Sequence, residues 1–265
     1  MDNLLSALST ISKINAAIAD PAAIGLWNEF AASGVVTAVE VGLTAGPTLR
    51  DPLKVAVATP DPSPWLSRYA SGLAAQLSTV PPGESGVGIG LTTGRFRWYH
   101  AAPVAAGGAL ADWARSNVAA LRPAVDRLTS EVGDFRFAGV GLEVGRDRSD
   151  RWTAYATVPD PARLAFVLAA PVPDALATLV AVATSPTEGP PLLWVGASDS
   201  ASQPSTKAYV FLRRRLRPPT FRQVLDCIGD AAAVSRLGDL ESLGSPQVVG
   251  CSLAPEGVAW TLYFS

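Results

Sequence analysis

A basic residue or threonine, then tyrosine two positions later, recurs through this chain. The steps are Arg97-x-Tyr99, Thr153-x-Tyr155, Lys207-x-Tyr209 and Thr261-x-Tyr263, with Lys54 standing ahead of Ala56 in an earlier copy. Alternate residues of a strand share one face, so each step sets its two side chains on the same surface. Arg95, Arg97, Arg151, Lys54 and Lys207 fall on that surface, against two acids, Glu40 and Glu143. Five cations against two carboxylates make a positive pocket suited to an anion. Diphosphate fits it, because arginine binds such oxygens bidentately and lysine acts as a point charge. The tyrosines add a complementary element: a desolvated aromatic face stabilises a cation by roughly 0.5–2 kcal/mol. An anion site beside electron-rich rings suits ionisation of an allylic diphosphate, with the carbocation kept from water. A nearby carboxylate would take the proton that the acceptor loses.

The elements that carry these residues repeat with a period of roughly 50 residues, long enough for one supersecondary unit each. A Val-Gly or Ile-Gly step opens every copy: Val41-Gly42, Ile89-Gly90, Val140-Gly141, Val195-Gly196 and Val249-Gly250. Leu192–Leu212 is the clearest copy, two β-rich runs around a Ser/Asp/Gln/Pro-rich connection, which reads as a hairpin. The other hairpins are expected at 35–43 with 53–58, 86–92 with 95–101, 135–144 with 152–158, and 247–253 with 258–264. Helices are expected between them, at 3–19, from Pro21 to Gly34, at 61–77, from Gly108 with a restart at Pro123, from Asp160-Pro161, over 174–183, from Pro218-Pro219-Thr220 to near Gly229, and on towards Leu243. One strand face is uniformly apolar, as in Val140, Leu142 and Val144, and should lie under helices. The other carries Tyr, Thr, Arg, Lys and Gly, and is expected to line an enclosed, partly polar cavity rather than face solvent. The fold class predicted is α+β: a closed ten-stranded antiparallel β-barrel built from five hairpin-plus-helix repeats, ringed by outer α-helices, as one domain over residues 1–265.

Composition narrows the function classes. Of 265 residues, 48% are hydrophobic and 17% charged, and the net charge of −2 offers no basic field for nucleic acid or an anionic membrane. No apolar run approaches the ~18–20 residues needed to span a bilayer, and the N-terminal stretch lacks the basic start and apolar core of a signal peptide. A cytoplasmic monomer is expected. Two cysteines, Cys227 and Cys251, make neither a disulfide framework nor a zinc site. The single histidine, His100, falls on the apolar strand face, where a structural role is expected. The Gly-rich run at 87–94 lacks the Lys-Ser/Thr of a phosphate loop and reads as strand and turn. No Asp-rich magnesium motif is present. No metal or cofactor is required by the sequence, although Mg²⁺ could ride on a diphosphate.

At these residues the chain resembles the soluble aromatic prenyltransferases of the ABBA, or PT-barrel, type, over essentially its whole length. The nearest local match is Ala38-Val39-Glu40-Val41-Gly42, followed by Lys54 on the next strand. The resemblance implies Glu40 as the base at the acceptor, with Glu143 the alternative. It implies diphosphate binding by Lys54, Arg95, Arg97, Arg151 and Lys207. Tyr99, Tyr155, Tyr209 and Tyr263 would shield the carbocation, and Gly42, Trp194 and Phe211 would line the acceptor and prenyl pocket. The chain departs from the family pattern at Ala56, where no tyrosine stands, and at Thr153 and Thr261, where basic residues are usual. Its length resembles the compact bacterial branch, indole-type or cyclic-peptide prenyltransferases. The partners implied are a dimethylallyl or geranyl diphosphate donor and an aromatic or peptide acceptor, in natural product biosynthesis. A non-catalytic small-molecule-binding barrel or a degenerate relative is the alternative reading.

Overall fold

The computed structural model describes residues 38–45, 53–90, 93–145, 150–198, 205–212, 217–229, 231, 234, 245–254 and 257–264. The expected helices at 3–34 and the approach to Leu243 lie outside them. Ten strands follow the predicted hairpins closely: β1 Ala38–Ala45, β2 Leu53–Thr59, β3 Glu84–Gly90, β4 Phe96–Ala101, β5 Phe137–Val144, β6 Asp150–Val158, β7 Leu192–Ser198, β8 Ser205–Phe211, β9 Val248–Ala254 and β10 Gly257–Phe264. All neighbours are antiparallel, in the order β1-β10-β9-β8-β7-β6-β5-β4-β3-β2.

The closed ten-stranded barrel needs correction. Nine strands, β2 to β10, form a curled, half-barrel sheet whose edges stand 13 Å apart, and β1 is the strand bonded to both of those edges. Bonded strands sit ~4.8 Å apart, so those edges cannot pair with each other. Ladder bonding around the sheet runs through β1, paired from Val41–Phe264 to Ala45–Trp260 with β10 and from Ala38–Ala58 to Leu43–Leu53 with β2. Sequential hairpins dictate which neighbours pair. Closure depends in addition on strand tilt and shear, which no local pattern in the first or last hairpin specifies.

The alternation places the core outside the curl. On β6 the convex face is buried, including Trp152, Ala154, Ala156 and Val158, while Arg151, Thr153, Tyr155 and Thr157 on the concave face are half-buried. Helices α1 Ser63–Tyr69, α2 Ala74–Leu77, α3 Gly107–Asn117, α4 Arg122–Val132, α5 Leu164–Leu168, α6 Asp174–Ala183 and α7 Phe221–Ile228 supply the outer layer. Leu110, Val125, Leu128, Leu176, Leu179 and Val224 join the convex strand residues in one core, each burial contributing roughly 1.5–3 kcal/mol. Trp98, fully buried, meets Trp152 edge-on at 6.5 Å and stacks on His100 at 5.7 Å.

Local chemistry sets the helix ends. Thr220 and Gln223 cap α7 reciprocally, and Gly229 ends it in the left-handed region. The helix expected over 61–77 is instead broken into α1, a 3₁₀ turn at Ser71–Leu73 and α2. Ser71 and Gly72 are weak helix formers at the break.

Candidate active site

The cationic residues converge because β4, β5 and β6 set them side by side. Arg97 pairs in register with Glu143, and Glu143 with Arg151. Arg97 Nε donates to Glu143 Oε2 at 2.8 Å, and Arg95 Nη1 donates to Oε1 at 2.7 Å. Burial pushes the Glu143 carboxyl up, but Arg97 and Lys207 nearby, with the bonds from both arginines, outweigh it and hold it well below the usual range. Arg151 meets hydroxyls instead. Its Nε and Nη2 donate to Ser198 Oγ at 3.2 and 2.9 Å, and Nη2 also donates to Ser205 Oγ.

A cavity of about 350 Å³ opens onto this cluster. Lys54, Arg97, Arg151 and Lys207 line it; Arg95 does not, and acts on it through Glu143. Tyr99, Tyr155, Tyr209, Tyr263, Trp194 and Phe211 line the same space. Ring centroids lie 5.9 Å apart for Tyr155–Tyr209, 6.3 Å for Tyr209–Tyr263 and 5.0 Å for Trp194–Phe211. Burial raises the Tyr99 and Tyr209 hydroxyls well above their usual range, and Tyr155 is raised too. All three stay neutral near pH 7 and present π faces rather than phenolates.

The concave glycines are closely covered by neighbouring rings. A Cβ on Gly196 would lie 2.9 Å from Tyr155 Cε1, and one on Gly141 3.2 Å from the Tyr155 hydroxyl. Gly250 stands in the same relation to Tyr209 and Tyr263, at 3.4 Å from each ring. Tyr155 therefore lies over glycines of both neighbouring strands, and Tyr209 and Tyr263 share Gly250. Tyr155 opposes Gly196 and Tyr209 opposes Gly250 in register, so the Val-Gly steps fix where the tyrosines rest.

Glu40 stands on β1 opposite Ala56, which lines the cavity, and Gly42 opposite Lys54 and Tyr263; the β1 side chains lie outside the described residues. His100 is buried on the convex face and bonds Ser85 Oγ through Nδ1 at 2.9 Å, with burial lowering its basicity. Sequence reasoning missed the Ser198–Ser205 pair on Arg151. The signal was present, since Ser198 falls on the polar face of its strand at the end of the fourth hairpin. It also missed the bond from Thr153 to Tyr155. Among the described residues no group of three or more His, Cys, Asp or Glu could hold a metal ion, and no helix is long and apolar enough to cross a membrane.

No protein-family model matches the chain, and no curated protein is significantly similar to it. Solved structures do match. The 6-dimethylallyltryptophan synthase from Micromonospora olivasterospora, in complex with DMASPP and Trp, superposes with a TM-score of 0.65 at 18% identity, covering 100% of this chain and 96% of that one. AnaPT from Neosartorya fischeri superposes at 0.56 and 13% identity, covering 88% and 79%. The likeness does not single out a bacterial branch, and the chain has the fold of the ABBA-type, or PT-barrel, prenyltransferases.

Proposed function

We propose that this protein transfers an allylic prenyl group, dimethylallyl or geranyl, from its diphosphate to an aromatic or cyclic-peptide acceptor. The observation that carries this reading is the cavity: four cations and four tyrosines line one space on a prenyltransferase fold. In the reaction the allylic C–O bond breaks and its electron pair leaves with diphosphate, held by Lys54, Arg97, Arg151 and Lys207. Arg95 contributes through Glu143. Tyr99, Tyr155, Tyr209 and Tyr263 stabilise the allyl cation and exclude water. The acceptor attacks the cation, and its proton passes to a carboxylate. Trp194 and Phe211, in tilted ring contact in the wall, contact the acceptor or the prenyl tail.

Glu40 is the base in this reading. Glu143 is bonded by two arginines and acidified by them, which suits it to ordering cations and makes it a poor proton acceptor. Ala56 in the cavity wall, where the family pattern has a tyrosine, favours the second reading, a barrel that binds without turnover. Turnover of dimethylallyl and geranyl diphosphates with an acceptor library, read by mass spectrometry, separates the two. With saturating donor, Glu40→Gln should lose about 10²–10⁴-fold in kcat, as expected for a missing general base. Full turnover by Glu40→Gln would remove it from the mechanism. Donor binding without any prenylated product from the wild type would select the binding barrel.

A further inference from the structure

The cations at the diphosphate end are not equivalent. Arg95 and Arg97 share the charge of Glu143 through bonds of 2.7 and 2.8 Å. Arg151 is anchored as firmly, but by neutral groups. Ser198 Oγ accepts from its Nε and Nη2, Ser205 Oγ accepts from Nη2, and the two hydroxyls lie 2.8 Å apart. Ser198 is 4% exposed, and it stands opposite Ser205 where β7 and β8 pair. Glu143 is the register neighbour of Arg151, yet both its oxygens are occupied by the other arginines. The Nε–Nη2 edge of Arg151 is therefore fixed to the wall, while Nη1 takes part in none of these bonds. Hydroxyls fix geometry without cancelling charge, whereas a carboxylate does both.

We infer that Ser198 and Ser205 are positioning residues that hold Arg151 with its full charge directed at the donor's diphosphate. This rests on the proposed prenyl-transfer reading and adds a device to it. The serines touch neither substrate nor reacting atoms. They immobilise a long, rotamer-rich side chain before the ligand arrives, and so remove part of the ordering cost from binding.

The test is calorimetric titration of the full chain with inorganic pyrophosphate, accompanied by melting curves and by kcat and KM for dimethylallyl diphosphate. Ser198→Ala/Ser205→Ala should weaken pyrophosphate binding about tenfold, the weight of one charge-assisted hydrogen bond, and raise KM with kcat unchanged. Ser198→Asp keeps an acceptor on Arg151 but adds a negative charge, and should weaken binding further. Should the double variant fail to fold, Ser205→Ala alone, at the half-buried partner, should still weaken binding about threefold, a fraction of one such bond. A lowered melting temperature with pyrophosphate affinity within twofold of wild type would make the serines a structural brace and overturn the inference. So would an unchanged Ser198→Asp. If Arg97→Ala loses binding while the serine variants keep it, the diphosphate site stands and this inference alone fails. A wild-type protein that does not bind pyrophosphate at millimolar concentration overturns both.

Discussion

Glu143→Gln separates the stabilising role of this carboxylate from any catalytic one. The substitution keeps the shape and one acceptor oxygen but removes the charge that two arginines share. Removing one partner of a fully buried pair costs about 3–5 kcal/mol. Here only the Arg97 side chain is nearly buried, at 8% exposed, against 20% for Glu143 and 28% for Arg95. Partial solvation reduces the cost to roughly 2–3 kcal/mol, or about 4–12 °C in Tm for a chain of this size. The pH dependence fixes the sign. The carboxyl is more acidic folded than unfolded, so its contribution is fully present above the unfolded value of about 4.3. It is lost as pH falls below that towards the folded value. His100 acts in a higher window. Burial lowers its folded value, so the unfolded chain takes up a proton first, and stability begins to fall below about pH 6.5. Urea melts of wild type and variant between pH 3 and 8 should share the His100 slope and converge only below about pH 4.5, as the Glu143 term vanishes. Pyrophosphate should bind the variant more tightly, because the carboxylate charge that offsets Arg97 in the cavity wall is gone. Parallel curves over the whole range, or weaker pyrophosphate binding by a folded variant, would refute the ion-pair account. A loss of turnover of about 10²–10⁴-fold with stability unchanged would return the base to Glu143.

Trp98→Ala empties a fully buried indole site between Trp152 and His100, and should cost about 3–5 kcal/mol in denaturant melts. Gly196→Ala puts a methyl 2.9 Å from Tyr155 Cε1. It should destabilise by about 1–3 kcal/mol and alter the near-ultraviolet circular dichroism, because the ring has Gly141 on its other side. Cys251, a buried thiol pushed up to about 12 by desolvation, should resist iodoacetamide at pH 8 in the native protein and react once it is unfolded, as read by peptide mass spectrometry.

The hairpins were legible because two local signals agreed, the period-2 alternation and the Val-Gly step. Strand positions, the convex core and the residues sharing the concave face all follow from that alternation. Tyr155, Tyr209, Arg97 and Lys207 reach the cavity because each occupies the correct parity of its strand. What parity cannot convey is which neighbour a side chain chooses. Glu143 could have served any of four nearby cations, and the choice of Arg95 and Arg97 depends on rotamers and on the stagger of β4 against β5. The clamp on Arg151 depends likewise on the pairing of β7 with β8. The break at Ala70 was missed because Trp65, Tyr69, Leu73 and Leu77 keep helical spacing across it. Closure was misjudged because it is set by tilt and shear over the whole sheet.

The glycine–tyrosine registry links the repeat to the chemistry. A tyrosine on a strongly curved concave face needs a neighbour without a side chain, or its ring would stand up into the lumen and fill it. With glycine opposite, the ring lies against the wall, as Tyr155 does over Gly141 and Gly196, and turns its face to the cavity. Its hydroxyl then reaches sideways to Thr153 and Tyr209. Tyr155 and Tyr209 are hydrogen-bonded to each other, and burial keeps both, with Tyr99, neutral rather than as the more nucleophilic phenolates. The same rings leave about 350 Å³ of space beside the arginines and lysines. In the proposed reaction, an aromatic wall next to cations held by a carboxylate at one point and by hydroxyls at another would favour capture of the allyl cation by the acceptor over capture by water. That division explains why the Val-Gly step and the paired tyrosine recur together along the chain: either one alone would leave the lumen blocked or its wall unlined.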